Sequence, residues 1–159
     1  MYNIGDKVVY PMHGAGIIES IEQKEILGEE KNYYVLRLPL KNMKVMLPVD
    51  NVTNLGVRKI IAVESVEDVI EVLGEKISEM PANWNRRYRQ NMERVKSGDI
   101  FEVAGVVRNL EIMDRQKGLS AGERKMLSNT KQILVSELVL AKDSDETAII
   151  KIVNDSIHV

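Results

Sequence analysis

The chain has 159 residues, 44% hydrophobic and 29% charged, with 22 Lys and Arg against 24 Asp and Glu for a net charge of −2. This is the balance of a globular protein and not of a disordered one, and the length allows one ordinary domain or two small ones. The absence of cysteine excludes disulfides and thiolate metal sites, while the lack of a membrane-length apolar run or signal-type start makes a cytoplasmic protein the expectation.

Residues 1 to about 58 read as strands. Lys7-Val8-Val9-Tyr10 is a β-prone run closed by Pro11, and His13-Gly14-Ala15-Gly16 has the composition of a turn. A strand resumes over 17–26, turns at Leu27-Gly28-Glu29-Glu30, and returns over 32–38. Pro39 to Asn42 turns the chain again before a strand from Met43 to Val49, whose alternation places Met43, Val45 and Leu47 inward and Lys44 and Met46 outward. Short strands with turns every ten or so residues predict a small antiparallel barrel.

The apolar period becomes helical from Ser65 onward. Ser65 and Asp68 resemble a capping box ahead of Val66, Val69, Ile70 and Leu73, with Gly74 as the stop. A second helix follows Pro81, with Trp84, Tyr88, Met92 and Val95 along one stripe and Gly98 at its end. Asp99 caps a third with Phe101, Ala104, Val107 and Leu110 facing inward, and Ser120-Ala121-Gly122-Glu123 caps a fourth. A fifth begins near Asp143–Asp145 around Ile149, Ile150 and Val153. The expected fold class is therefore α+β multidomain: a small antiparallel β-barrel over residues 1–60, then an all-α domain of about five helices over 61–159, with a short linker near Arg58–Glu64.

The chemistry concentrates around the single tryptophan. Trp84 opens a segment that carries Arg86, Arg87 and Arg89, and from Trp84 to Gly98 the basic residues outnumber Glu93 by a net +4. Cations at a helix start oppose the macrodipole, so a nearby anion would account for them, and an aromatic among phosphate-binding arginines suits nucleic acid. Against this stands the plainer reading of Trp84 and Tyr88 as the apolar face of an amphipathic helix. Arg124 and Lys125, after the Ser120 cap, are secondary DNA contacts at most. Ile26 and Leu27 at the tip of a charged turn either fold back as a small satellite cluster or anchor a protein partner on an exposed strand edge. His13 and His158 lack ligand-spaced companions, so no metal, cofactor or enzymatic activity is expected.

Tyr10-Pro11-Met12-His13-Gly14-Ala15-Gly16, Asn83-Trp84-Asn85-Arg86-Arg87-Tyr88 and Gly118-Leu119-Ser120-Ala121-Gly122-Glu123-Arg124-Lys125 together resemble the bacterial CarD (CdnL) family of RNA polymerase-binding transcription factors, nearly end to end and in order. The N-terminal half alone is also similar to the polymerase-interacting module of transcription-repair coupling factors. The resemblance implies a Tudor-like barrel that binds the polymerase β subunit by strand-edge contact, here through Lys24, Glu25, Ile26 and Met46. It further implies that Trp84 wedges into the minor groove at the upstream edge of the promoter bubble, with Arg86, Arg87 and Arg89 on the adjacent backbone. The protein would stabilise the open promoter complex and be nucleoid-associated through polymerase. Some relatives carry a basic residue where this chain has Met46, which makes its contact less electrostatic. The alternative is a polymerase-binding adaptor without direct DNA contact, whose Trp84 belongs to the core.

Overall fold

The computed structural model describes residues 1–159. Five strands come first: β1 (Lys7–Tyr10), β2 (Gly14–Ile26), β3 (Glu29–Leu38), β4 (Met43–Pro48) and β5 (Arg58–Lys59). All pair antiparallel in the order β4-β3-β2-β1-β5. Val8, Ile18, Tyr34, Leu36, Leu38 and Leu47 form the core of this module, completed by Val52 and Val57 from the loop between β4 and β5. A β-bulge between Ile18 and Ser20 bends β2, as an extra residue in one strand does. The bulged Glu19 accepts an ion pair from Lys44 at 2.8 Å.

Local sequence explains most of the boundaries. Ile26 pairs with Glu29, so β2 and β3 join through a two-residue turn in which Leu27 (φ 54°) and Gly28 (φ 79°) are both left-handed, the type I′ geometry that matches strand twist. The turn is thus shorter than expected, and Glu29 and Glu30 already belong to β3. Gly14, Ala15 and Gly16 also lie in a strand and not in a turn; the turn occupies Pro11–His13. In β4 the alternation holds at Leu47, which is buried, but Met43 is 47% exposed because it pairs with Leu38 at the end of the ladder.

The helical part comprises α1 (Val66–Leu73), α2 (Trp84–Lys96), α3 (Ile100–Gln116), α4 (Ala121–Lys142) and α5 (Glu146–Ser156). Asn83, Asp99, Ser120 and Asp145 each accept a hydrogen bond from a first-turn backbone N–H, which satisfies otherwise orphaned donors. Ser65 does not: it sits in a 3₁₀ turn over Val63–Ser65 and makes no side-chain cap. Helix α3 is central, with Val103, Ala104, Val106, Val107 and Leu110 at 4% exposure or less, packed against α4, α1 and α2. Phe101, expected inside, is 39% exposed; Ile100 beside it takes the buried position.

The two parts meet along a polar seam. Arg58 donates to both carboxylate oxygens of Glu137 at 2.7 and 2.8 Å and to the Gly98 carbonyl at 2.8 Å. The Ile61 amide donates to the same carboxylate at 2.8 Å, and the Ala15 amide to Ser136 Oγ at 2.9 Å. Gly14 makes this approach possible, since a Cβ there would lie 2.9 Å from Ser136 Oγ and its φ is +110°. Truncating one partner of such a buried, hydrogen-bonded charge pair costs about 2–5 kcal/mol.

Candidate nucleic-acid interface

Helix α2 begins on Trp84, immediately after the cap. Asn83 is extended (φ −70°, ψ 122°), and its side chain accepts from the Arg86 amide at 3.1 Å. Along the stripe of α2, exposure falls from Trp84 (54% exposed) through Tyr88 and Met92, both half-buried, to Val95 at 3%. The helix therefore enters the core at its C-terminal end and leaves the indole ring in solvent at the other. The segment that leads into it is pinned from below: Asn109, itself buried, accepts from the Ser78 amide at 3.1 Å and donates to Ser78 Oγ at 2.7 Å.

Arg87 corrects the sequence-based expectation. It does not face solvent with Arg86 and Arg89 but is 8% exposed, and its Nε and second terminal nitrogen donate to the two oxygens of Glu123 at 2.7 and 2.9 Å. Its remaining terminal nitrogen donates to the carbonyls of Pro81 and Ala82 at 3.3 and 3.1 Å. All three of its guanidinium nitrogens are engaged within the protein, so it is not presented to a phosphate in solvent. A helix has only part of its circumference facing water, and position 87 falls on the inner side with Asn91 and Val95.

Glu123, the acidic member of the Ser120 capping box, is 2% exposed. Its amide donates to Ser120 Oγ at 3.2 Å, and that hydroxyl returns a bond to the carboxylate at 3.1 Å. Hydrogen bonding from Arg87 holds this carboxyl below the usual glutamate range in spite of burial. The ion pair ties the first turn of α2, which carries Trp84, to the first turn of α4. The sequence signal was present, a capping-box glutamate and an arginine inside a basic run, but nothing in the spacing joined them.

The other cations divide into paired and unpaired. Arg94 is committed to Glu102 at 2.7 Å. Arg86 and Arg89 are exposed and border an open concavity with Pro81, Gln90 and Glu93. Arg124 is exposed, with Asp114 at 3.6 Å, and Lys125 is exposed without an acidic partner among the ion pairs.

On the strand-rich part, Lys24, Glu25, Ile26 and Met46 are all exposed, with Ile26 at 51% and Met46 at 40%. Met46 lies on the edge strand β4, opposite Val35, whereas Ile26 lies opposite Glu29 where the β2–β3 hairpin has no third strand. The stretch from Glu29 to Val35 spans about 20 Å at ~3.4 Å per residue, so the four residues line an extended edge and not a single patch. Leu27 at the hairpin tip is 99% exposed.

Residues 2–61 match the family model described as the CarD-like/TRCF RID domain, and residues 68–154 match that of the CarD C-terminal domain. The chain belongs to the CarD family. A putative transcription factor YdeB of Bacillus subtilis (strain 168) is 41% identical over 149 residues, which cover 94% of this chain and 97% of the relative. The solution NMR structure of the 72-residue N-terminal domain of Myxococcus xanthus CarD is 34% identical and covers 37% of this chain and 79% of its own, with a TM-score of 0.33. The two CarD matches meet the strand-rich and helical parts separately, with the seam and the 3₁₀ turn over Val63–Ser65 between them. No helix of this CarD-family chain is long and apolar enough to cross a membrane.

Proposed function

We propose that this CarD-family chain is a non-enzymatic transcription regulator that binds the β subunit of bacterial RNA polymerase and stabilises the open promoter complex. The strand-rich half docks through Lys24, Glu25, Ile26 and Met46. Trp84 wedges at the upstream edge of the bubble, and Arg86 and Arg89 hold the neighbouring phosphates, with Arg124 and Lys125 as outer contacts. Arg87 supports the wedge from inside.

The observation that carries this reading is the placement of Trp84: the first residue of a helix, 54% exposed, in the same first turns as the exposed Arg86 and Arg89 and on a helix start tied down by a buried ion pair. A working wedge needs a free ring on a fixed base. The adaptor reading requires that ring in the core, and its exposure argues against it. No side chain is arranged to read base edges, so selectivity rests on polymerase position and on how readily the DNA deforms.

Magnitudes favour two hands acting together. A few arginine–phosphate contacts and one wedge leave the free chain with non-specific DNA affinity of roughly 10⁻⁴ to 10⁻⁶ M. Tethering through polymerase presents the DNA at about millimolar effective concentration. A wedge that contributes ~1.4 kcal/mol to the open state shifts its equilibrium about tenfold.

The test is the lifetime of open complexes on a promoter with a short-lived bubble, measured with no factor, the intact chain, and Trp84→Ala. The intact chain should prolong the lifetime, and alanine should remove about tenfold of the gain while polymerase binding persists. Equal lifetimes for the intact chain and the alanine variant would return the protein to the adaptor class.

A further inference from the structure

Between the two halves lies a groove of about 270 Å³ whose lining includes Met12, Lys41, Tyr88, Met92, Lys125 and Met126. We propose that this groove is a second DNA-binding surface, in which Lys41 of the strand-rich half and Lys125 of the helical half hold the phosphodiester backbone of promoter DNA that continues from Trp84. The proposal rests on the reading of Trp84 as a DNA contact and assigns the strand-rich half a DNA-binding role beside its docking role.

Charge is the first argument. No carboxylate lines the groove, and neither Lys41 nor Lys125 takes part in any of the ion pairs of the molecule. Arg58, Arg94, Arg108 and Lys131 around the helical core are by contrast each matched to a glutamate. Lys41 is half-buried, and its charge reaches His13, whose imidazole is held below its ordinary range by burial first and by Lys41 second. Two unmatched ammonium groups lining one groove, one from each half, attract an anion that lies along it.

Continuity is the second argument, and it decides the kind of anion. Tyr88 and Met92 in the groove wall are one and two turns along the same stripe of α2 as Trp84. Trp84 to Met92 spans about 12 Å of helix at ~1.5 Å per residue, or roughly three to four base steps at ~3.4 Å each. A strand laid along this face from the indole ring therefore comes to the mouth of the groove that Lys41 and Lys125 line. An aromatic side chain with apolar neighbours and flanking cations is the chemistry of nucleic-acid contact. The Arg58–Glu137 clamp and the Ala15–Ser136 hydrogen bond hold the two walls in place, so Lys41 and Lys125 are presented as a preformed pair.

The experiment uses the full chain and a labelled forked duplex, with affinity followed by fluorescence anisotropy across a series of salt concentrations. Lys41→Ala should weaken binding about three- to tenfold and lower the slope of log affinity against log salt by about 0.7–0.9, the share of one phosphate contact. Lys41→Glu should weaken it further. Lys142→Ala, which removes an equal charge at the exposed end of α4, should stay within twofold of the parent. If Lys41→Ala matches Lys142→Ala in both affinity and slope, the proposal is wrong. Polymerase capture measured on the same variants separates the remaining outcome: if Lys41→Ala weakens capture and spares the fork, the groove takes an acidic segment of a protein and the DNA assignment falls. If the intact chain fails to prolong open complexes yet fork binding still depends on Lys41, the promoter reading falls and the groove stands.

Discussion

Arg87 stands apart from the basic run that contains it. Its neighbours Arg86 and Arg89 are free, yet Arg87 itself is the internal member of a bidentate pair whose side chains are 10% and 3% exposed. Breaking such a pair by removing one partner leaves an uncompensated buried charge and costs about 3–5 kcal/mol. Arg87→Ala should therefore lower folding stability by that order, measured by chemical denaturation, whereas Arg86→Ala should leave it within about 0.5 kcal/mol. Glu123 supplies a pH signature. Its folded carboxyl is held below the usual range by the hydrogen bond from Arg87, so its contribution is present above the unfolded carboxyl value of about 4.3 and is lost as pH falls through the depressed folded value. The stability difference between the parent and Glu123→Gln should be largest near neutrality and shrink on acidification; a constant difference down to strongly acidic pH would contradict the assignment. A basic run in a sequence lists charges, but one face of a helix can spend one of them inward.

At the scale of the element, helix starts were the most legible feature and the hairpin turn among the most informative. Asn83, Asp99, Ser120 and Asp145 cap as their chemistry suggests, because an oxygen two or three residues ahead of a free backbone N–H is a local relationship. Ser65 fails for a reason that is not local: the chain enters α1 through a 3₁₀ turn, with Ser65 itself in helical conformation, which removes the extended geometry a cap requires. Phe101 fails because α3 is buried on nearly every side, so its apolar periodicity has little contrast and cannot rank positions. Under the proposed function Asn83 is the cap that matters most, since it fixes the turn that carries Trp84. Asn83→Ala should cost about 1 kcal/mol, speed hydrogen exchange at the Arg86 amide that loses its acceptor, and shorten open complexes less than Trp84→Ala does.

The whole molecule depends on one joint. Arg58 follows the loop after β4, pairs within β5 against β1, and reaches Glu137 in the middle of α4, while the Ile61 amide takes the same carboxylate. This network joins the strand-rich half to the helical half that carries Trp84; under the proposed function, polymerase binding would then determine where the wedge arrives. Glu137→Ala should lower stability by about 2–4 kcal/mol, discounted because Arg58 is 31% exposed, and reduce the melting temperature by roughly 5–10 °C. It should also raise hydrogen exchange at Ile61 and shorten open complexes even where folding persists, with polymerase affinity unchanged. A loosened joint with an undiminished lifetime would mean that the angle between the halves is immaterial.

Composition, turn residues and the change of apolar period from two to 3.6 were enough to place strands before helices, to locate the lone tryptophan at a helix start and to carry the resemblance to CarD. These are relations between residues near one another in the chain, and the chain states them directly. The fate of each charge was decided elsewhere. Arg87 with Glu123, Arg58 with Glu137, and Lys41 in one groove with Lys125 are separated by 36, 79 and 84 positions, and no local pattern distinguishes a guanidinium that will meet a carboxylate from one that will meet water. Packing makes that distinction, because burying a charge is tolerable only where its partner is already waiting.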